Sequence, residues 1–131
     1  DRRPPGVTPG QLAVMAATIA SGGVNPLTRK EVFKPGLAPK ITSMMATVGF
    51  YEHTGDWLFT TGLPAKTGVG GGIMGVVPGV MGLAAFAPPL DEAGNSVKAQ
   101  RALAYIAGRL NLGVFGTTRC VMAEPEPAPQ A

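Results

Sequence analysis

From Thr67 to Leu90 the chain runs for 24 residues without a charged side chain, and seven of these residues are glycine and three proline. An uncharged stretch of this length is long enough to cross a bilayer as a helix. Glycine and proline at this density, with Pro78-Gly79 at the centre, make a poor helix. The segment reads instead as two apolar strands about a turn, Ile73 to Val77 and Met81 to Phe86, paired as an antiparallel hairpin. No membrane association is expected. Just ahead of it, Lys66 to Gly72 reads as a glycine-rich strand or loop.

Helices are expected on either side. Thr8 is placed as an N-cap, Pro9 suits the first helical position, and Gln11 completes a capping box. Leu12, Met15, Ala16 and Ile19 then form one apolar stripe, ended by Gly22-Gly23. Residues 24–37 read as an irregular connection. A second helix starts at Pro39 with the stripe Ile41, Met44, Met45 and Val48, closes at Gly49, and uses its methionines as core filler. Trp57 to Thr61 reads as a short strand after a turn at Thr54-Gly55. Beyond Pro88-Pro89, Asn95 or Ser96 caps a last helix that carries Ala99, Leu103, Ile106 and Leu110 on one face and ends at Gly113. The predicted architecture is α+β: helices, then three antiparallel strands with a helix on one face.

Composition adds a constraint. Of 131 residues, 45% are hydrophobic and only 15% charged, so part of the apolar surface should be covered by another chain, a symmetry mate or a missing portion. The net charge of +3 comes from scattered Lys and Arg, and the eight aromatic residues are not interleaved with a basic stripe, so nucleic-acid binding is not expected. A single cysteine, Cys120, excludes an intrachain disulfide framework and fits a reducing cytoplasm. No Cys/His spacing suits a metal, and none is expected. The sequence opens at Asp1 without a basic-plus-apolar leader, and an internal start is expected.

The chemistry-bearing segment is GLPAKTGVGGG. Lys66-Thr67-Gly68 sets a cation, a hydroxyl and a residue without Cβ in succession, and on a strand Lys66 and Gly68 share one face with Thr67 opposite. Glycines at 68, 70, 71 and 72 leave backbone N–H groups accessible, and such groups can hold an oxyanion. A dinucleotide fingerprint fails because its third glycine would fall at Ile73, and P-loop spacing is absent. On the tripeptide alone, a glycine-rich strand packed tightly against a helix is the favoured reading.

The longer strings GLPAKTGVGGGI, VVPG and PPLDEAGNSVKAQ, preceded in order by LAVMAATIASGGVNPLT and SMMATVGFYEHTGDW, resemble the serine-dependent glutaminases. These are relatives of the class A β-lactamases and penicillin-binding proteins. The resemblance covers about residues 8–115 and implies the C-terminal part of a β-lactamase/penicillin-binding-protein-like fold. It implies a helical-subdomain segment at 8–50 and three strands plus the final helix of the sheet domain at 51–116; composition alone reads 1–7, with Pro4-Pro5, as an extended arm and the Pro/Ala/Glu-rich 117–131 as a disordered tail. Carried over by position, Tyr51 matches a catalytic and substrate-contacting tyrosine, and Val69 matches the residue whose backbone N–H helps form the oxyanion hole. Lys66, Thr67 and Gly68 match the motif on the strand lining the site, where the family usually has Ser at the place of Thr67.

Other positions depart from the pattern or have simpler roles. Glu52-His53 stands where family members carry Asp and a small or apolar residue, and His53 is read as a solvent-exposed turn histidine. Asp91, Glu92, Asn95 and Ser96 are assigned to the start of the last helix. The family nucleophile lies in Ser-x-x-Lys, and this sequence has none: Ser21, Ser43 and Ser96 are followed three residues on by Val24, Ala46 and Ala99. The resemblance thus implies a chain inactive by itself, completed by an N-terminal portion of the same enzyme and commonly part of a homo-oligomer. L-glutamine would be the substrate and no cofactor would be needed. Half of a β-lactamase-type acyl enzyme and a non-catalytic assembly module are the alternatives. The PPLDEAGNSV context and the Tyr51-to-Val69 spacing favour glutaminase.

Overall fold

A computed structural model of the chain describes residues 6–116. Most of the expected arm and the whole expected tail lie outside these residues. Helix α1 spans Pro9–Ala20, and its capping box forms as the sequence predicts: Gln11 N donates to Thr8 Oγ1 at 3.2 Å and Thr8 N to Gln11 Oε1 at 2.8 Å. Helix α2 spans Ala38–Val48 and closes at Gly49. Helix α3 is Thr54–Thr61, and helix α4 is Val97–Leu110, with Ser96 Oγ accepting from Ala99 N at 3.1 Å as its N-cap.

Strands β1 (Ala65–Thr67), β2 (Gly72–Val77) and β3 (Met81–Phe86) form an antiparallel sheet in the order β1-β2-β3. The expected hairpin holds, with Gly72 opposite Phe86 and Val77 opposite Met81. Among the described residues no helix is long and apolar enough to cross a membrane. The α+β class therefore stands.

Trp57–Thr61, expected as a strand, is helical. The aromatic and Thr-rich composition suggested a strand, but the buried positions Thr54, Trp57 and Thr61 follow helical spacing. Trp57 stacks on Phe50 with ring centroids 4.3 Å apart, and its Nε1 donates to Leu63 O at 2.9 Å. Gly62, at φ 66, then takes the left-handed conformation that ends the helix. The expected turn at Thr54-Gly55 is the first turn of α3.

The sheet is covered on both faces rather than on one. Alternation along β2 sends Ile73 and Val77 into a core with Phe50, Trp57, Leu63 and Leu103, while Val76 packs on the opposite face with Ala16 and Met45. Helix α1 lies so close over β3 that a Cβ on Gly82 would stand 2.1 Å from Ala17 N, an approach only glycine permits. The methionine expectation holds only in part. Met45 is buried, but Met15, Met44 and Val48 are exposed and border spaces that no described residue fills.

Candidate functional site

Strand β1 ends at Thr67 and hands the chain to a tight loop. Gly68 N donates to Gly72 O and Gly71 N to Gly68 O, each at 2.9 Å, while Val69 N–H meets no acceptor among the described residues. Val69 stands at the loop tip, 72% exposed. A Cβ added at Gly68 or Gly70 would meet nothing within 4 Å, and neither glycine has a positive φ. Among the described residues, neither packing nor backbone conformation requires glycine at these two positions, and the space beside them is open to the approach of another group.

Tyr51 sits in a 3-10 turn, Tyr51–His53, with φ 52, a left-handed conformation that costs a bulky side chain about 1 kcal/mol or more. Thr54 holds it there: its hydroxyl accepts from Phe50 N at 2.9 Å and donates to Tyr51 O at 2.7 Å. Lys66 Nζ lies 4.8 Å from the Tyr51 ring centroid, over its face, and donates to Thr67 O at 2.5 Å. Lys66 and its cross-strand partner Met74 line a groove of about 320 Å³ with Leu12, Met15, Thr67 and Gly68. Lys66 and Met74 also border a second space, of about 490 Å³, along Ile41, Met44 and Val48 of α2. The Thr67 side chain is almost fully buried, and its hydroxyl has no hydrogen-bond partner.

The loop before α4 completes the arrangement. A methyl group on Gly94 would lie 3.8 Å from Tyr51 Cε2 and 3.7 Å from Val69 Cγ1, so Gly94 sits between the two residues. Asn95, assigned from sequence to the helix start, is fully buried and donates from Nδ2 to Phe50 O at 3.3 Å. Asp91 Oδ1 accepts from Asn95 N, and Oδ2 accepts from Gln100 Nε2, both at 2.9 Å. Burial pushes the Asp91 carboxyl upward, but the hydrogen bonds from Asn95 and Gln100, the nearby His53 and the Ala93 N–H outweigh it and hold the group below its usual range. Gly94 and Asn95 are the site residues that sequence reasoning missed. A glycine-asparagine pair three residues after Asp91 was the available signal.

Lys66 thus lies over Tyr51, Gly94 lies beside both Tyr51 and Val69, and Lys66, Thr67 and Gly68 line the groove along β1. Together these residues offer a cation, a phenol and a free N–H donor, but no nucleophile. Each serine is spent on local backbone: Ser43 Oγ donates to Pro39 O, Ser21 Oγ to Thr18 O and Val24 O, and Ser96 Oγ to Ala87 O. Among the described residues no three His, Cys, Asp or Glu side chains are grouped to hold a metal ion.

Residues 6–115 match the sequence model of the glutaminase family. The chain is 65% identical over 119 residues to a glutaminase of Bacteroides thetaiotaomicron, covering 91% of this chain and 37% of that protein. Its structure is similar to the probable glutaminase YbaS, at 54% identity and a TM-score of 0.79, over 80% of this chain and 34% of the other. It is similar also to Bacillus subtilis glutaminase YbgJ, solved as a covalent complex with 5-oxo-L-norleucine formed by reaction with 6-diazo-5-oxo-L-norleucine. That likeness has 30% identity and a TM-score of 0.79, over 83% of this chain and 40% of the other. The chain spans little more than a third of the length of these relatives.

Proposed function

Because the chain belongs to the glutaminase family, we propose that it forms the C-terminal part of an enzyme that hydrolyses L-glutamine to L-glutamate and ammonia. A serine from the remaining portion attacks the side-chain amide and forms a glutamyl-serine intermediate, which water then cleaves. Val69 N–H, together with other donors, holds the tetrahedral oxyanion. The Tyr51 hydroxyl contacts substrate beside the serine and passes protons, and Lys66, Thr67 and Gly68 line the substrate side of β1. The covalent complex of the related YbgJ with 5-oxo-L-norleucine supports a protein nucleophile beside the position of the glutamine side-chain carbonyl.

The observation that carries this reading is the unspent Val69 N–H between two glycines that the chain itself does not require. The uncovered groove beside Lys66 supports an N-terminal partner segment carrying Ser-x-x-Lys, and assembly as a homo-oligomer goes with the same reading. The lone Cys120 fits a cytoplasmic setting. The test is an ammonia-release assay on the complete polypeptide and on this chain alone. The complete protein should turn over glutamine, and the isolated chain should release none. Turnover by the isolated chain would overturn the composite site, and nitrocefin cleavage in place of glutamine turnover would move the protein to the β-lactamase side of the superfamily.

A further inference from the structure

The turn that carries Tyr51 and the loop beside it meet at two places, one a hydrogen bond and one a longer approach that is an ion pair only when His53 is protonated. The inner tie is the buried Asn95 Nδ2 bond to Phe50 O. The outer one is at the rim, where His53 Nδ1 lies 3.8 Å from Asp91 Oδ2. Asp91 is already fixed by Asn95 N and Gln100 Nε2, so movement at the rim contact falls on the His53 side. Two residues before His53, Tyr51 holds a backbone conformation that its surroundings must enforce. Three residues after Asp91 comes Gly94, where an added Cβ would lie in van der Waals contact with both Tyr51 and Val69.

We propose that His53 is a positioning residue for Tyr51: when protonated it pairs with Asp91 and clamps the Tyr51 turn onto the 91–95 loop. The proposal rests on the reading of Tyr51 and Val69 as site residues. Other charges face or adjoin the imidazole. Asp56 of α3 and Arg101 of α4 line the same cleft of about 250 Å³ as His53, and Glu52 precedes it in the turn. All three are exposed and act through solvent, whereas Asp91 is the half-buried partner in contact. Histidine is the side chain that commonly changes charge between about pH 5 and 8. Asp91, held below the ordinary carboxylate range, stays charged across that window. The clamp is therefore closed at the acid end and released as pH rises.

The experiment uses the complete polypeptide, as wild type, His53→Gln, His53→Lys and Asp91→Asn, with glutamine turnover followed from about pH 8.5 to about pH 5.5. The ratio of wild-type to His53→Gln kcat should rise roughly 2- to 5-fold as pH falls, the range expected of a partly exposed ion pair. His53→Lys, charged throughout, should not lose rate as pH rises in this window, and adding Asp91→Asn to His53→Gln should cost nothing further. A ratio constant with pH would overturn the proposal and leave His53 a merely structural residue. If the wild type turns over no glutamine, the glutaminase reading fails separately. The clamp is then judged on the Tyr51 ring resonance in tyrosine-labelled protein, assigned with Tyr51→Phe. Titration that disappears in His53→Gln supports the clamp, and titration unchanged by that substitution overturns it.

Discussion

Val69 presents the sharpest chemical feature at the scale of one residue, because it is exposed and its N–H, like that of Gly70, meets no acceptor among the described residues, while the N–H groups of Gly68 and Gly71 close the loop. Replacing Val69 by Pro deletes that donor without removing a hydrogen bond from the chain. In the complete enzyme kcat should fall by roughly 10²- to 10³-fold, the usual cost of one oxyanion donor, with the melting temperature nearly unchanged. A loss of rate matched by a comparable loss of stability would mean that the residue serves the loop and not the reaction. Gly68 and Gly70 point the same way, since neither has a reason for being glycine inside the chain. The Thr67 hydroxyl differs in kind. Buried without a partner, it is costly where it stands, as polar groups kept for a ligand often are.

Helix α3 is where pattern and packing part company among the elements. A strand through Trp57–Thr61 would put Trp57 and Phe59 on one face, because strand side chains alternate with a period of two. In the helix they point nearly opposite ways: Trp57 is 6% exposed and Phe59 92%. Trp57→Ala should therefore cost about 3–5 kcal/mol, and Phe59→Ala no more than about 0.5 kcal/mol, measured by denaturant unfolding of the complete protein. Equal costs would restore the strand. Where local signals are strong, the elements match their sequences. The Thr8-Gln11 capping box, the Pro78-Gly79 hairpin and the Ser96 cap each satisfy specific backbone groups within a few residues. The segment after Thr54 lacked such a signal, since His53 gives no side-chain cap and the fit of Trp57 against Phe50 and Leu63 decides its form.

For the molecule as a whole, the dominant fact is a sheet covered on both faces, beside an apolar groove along Met15, Met44, Val48 and Met74 that stays open. This chain spans 37% of the length of its Bacteroides relative, and the proposed N-terminal portion is the segment expected to cover the groove. The isolated chain should bind a hydrophobic dye such as ANS strongly, and the N-terminal portion added in equal amount should suppress most of that fluorescence. Unchanged fluorescence on addition would show that the groove is not their interface. The family, the α+β class, the Thr8-Gln11 capping box and the hairpin about Pro78-Gly79 were legible in the sequence, because these depend on local hydrogen bonding and on strings of adjacent residues, whereas the cap of the last helix stayed open between Asn95 and Ser96. The sequence also contains no Ser-x-x-Lys. Packing in three dimensions set the rest: α3 is a helix, α1 covers the second face of the sheet, Asn95 bonds Phe50 O, and Gly94 lies beside Tyr51 and Val69. Each of those outcomes depends on contact between residues distant in sequence, through close packing and buried hydrogen bonds that no local pattern encodes.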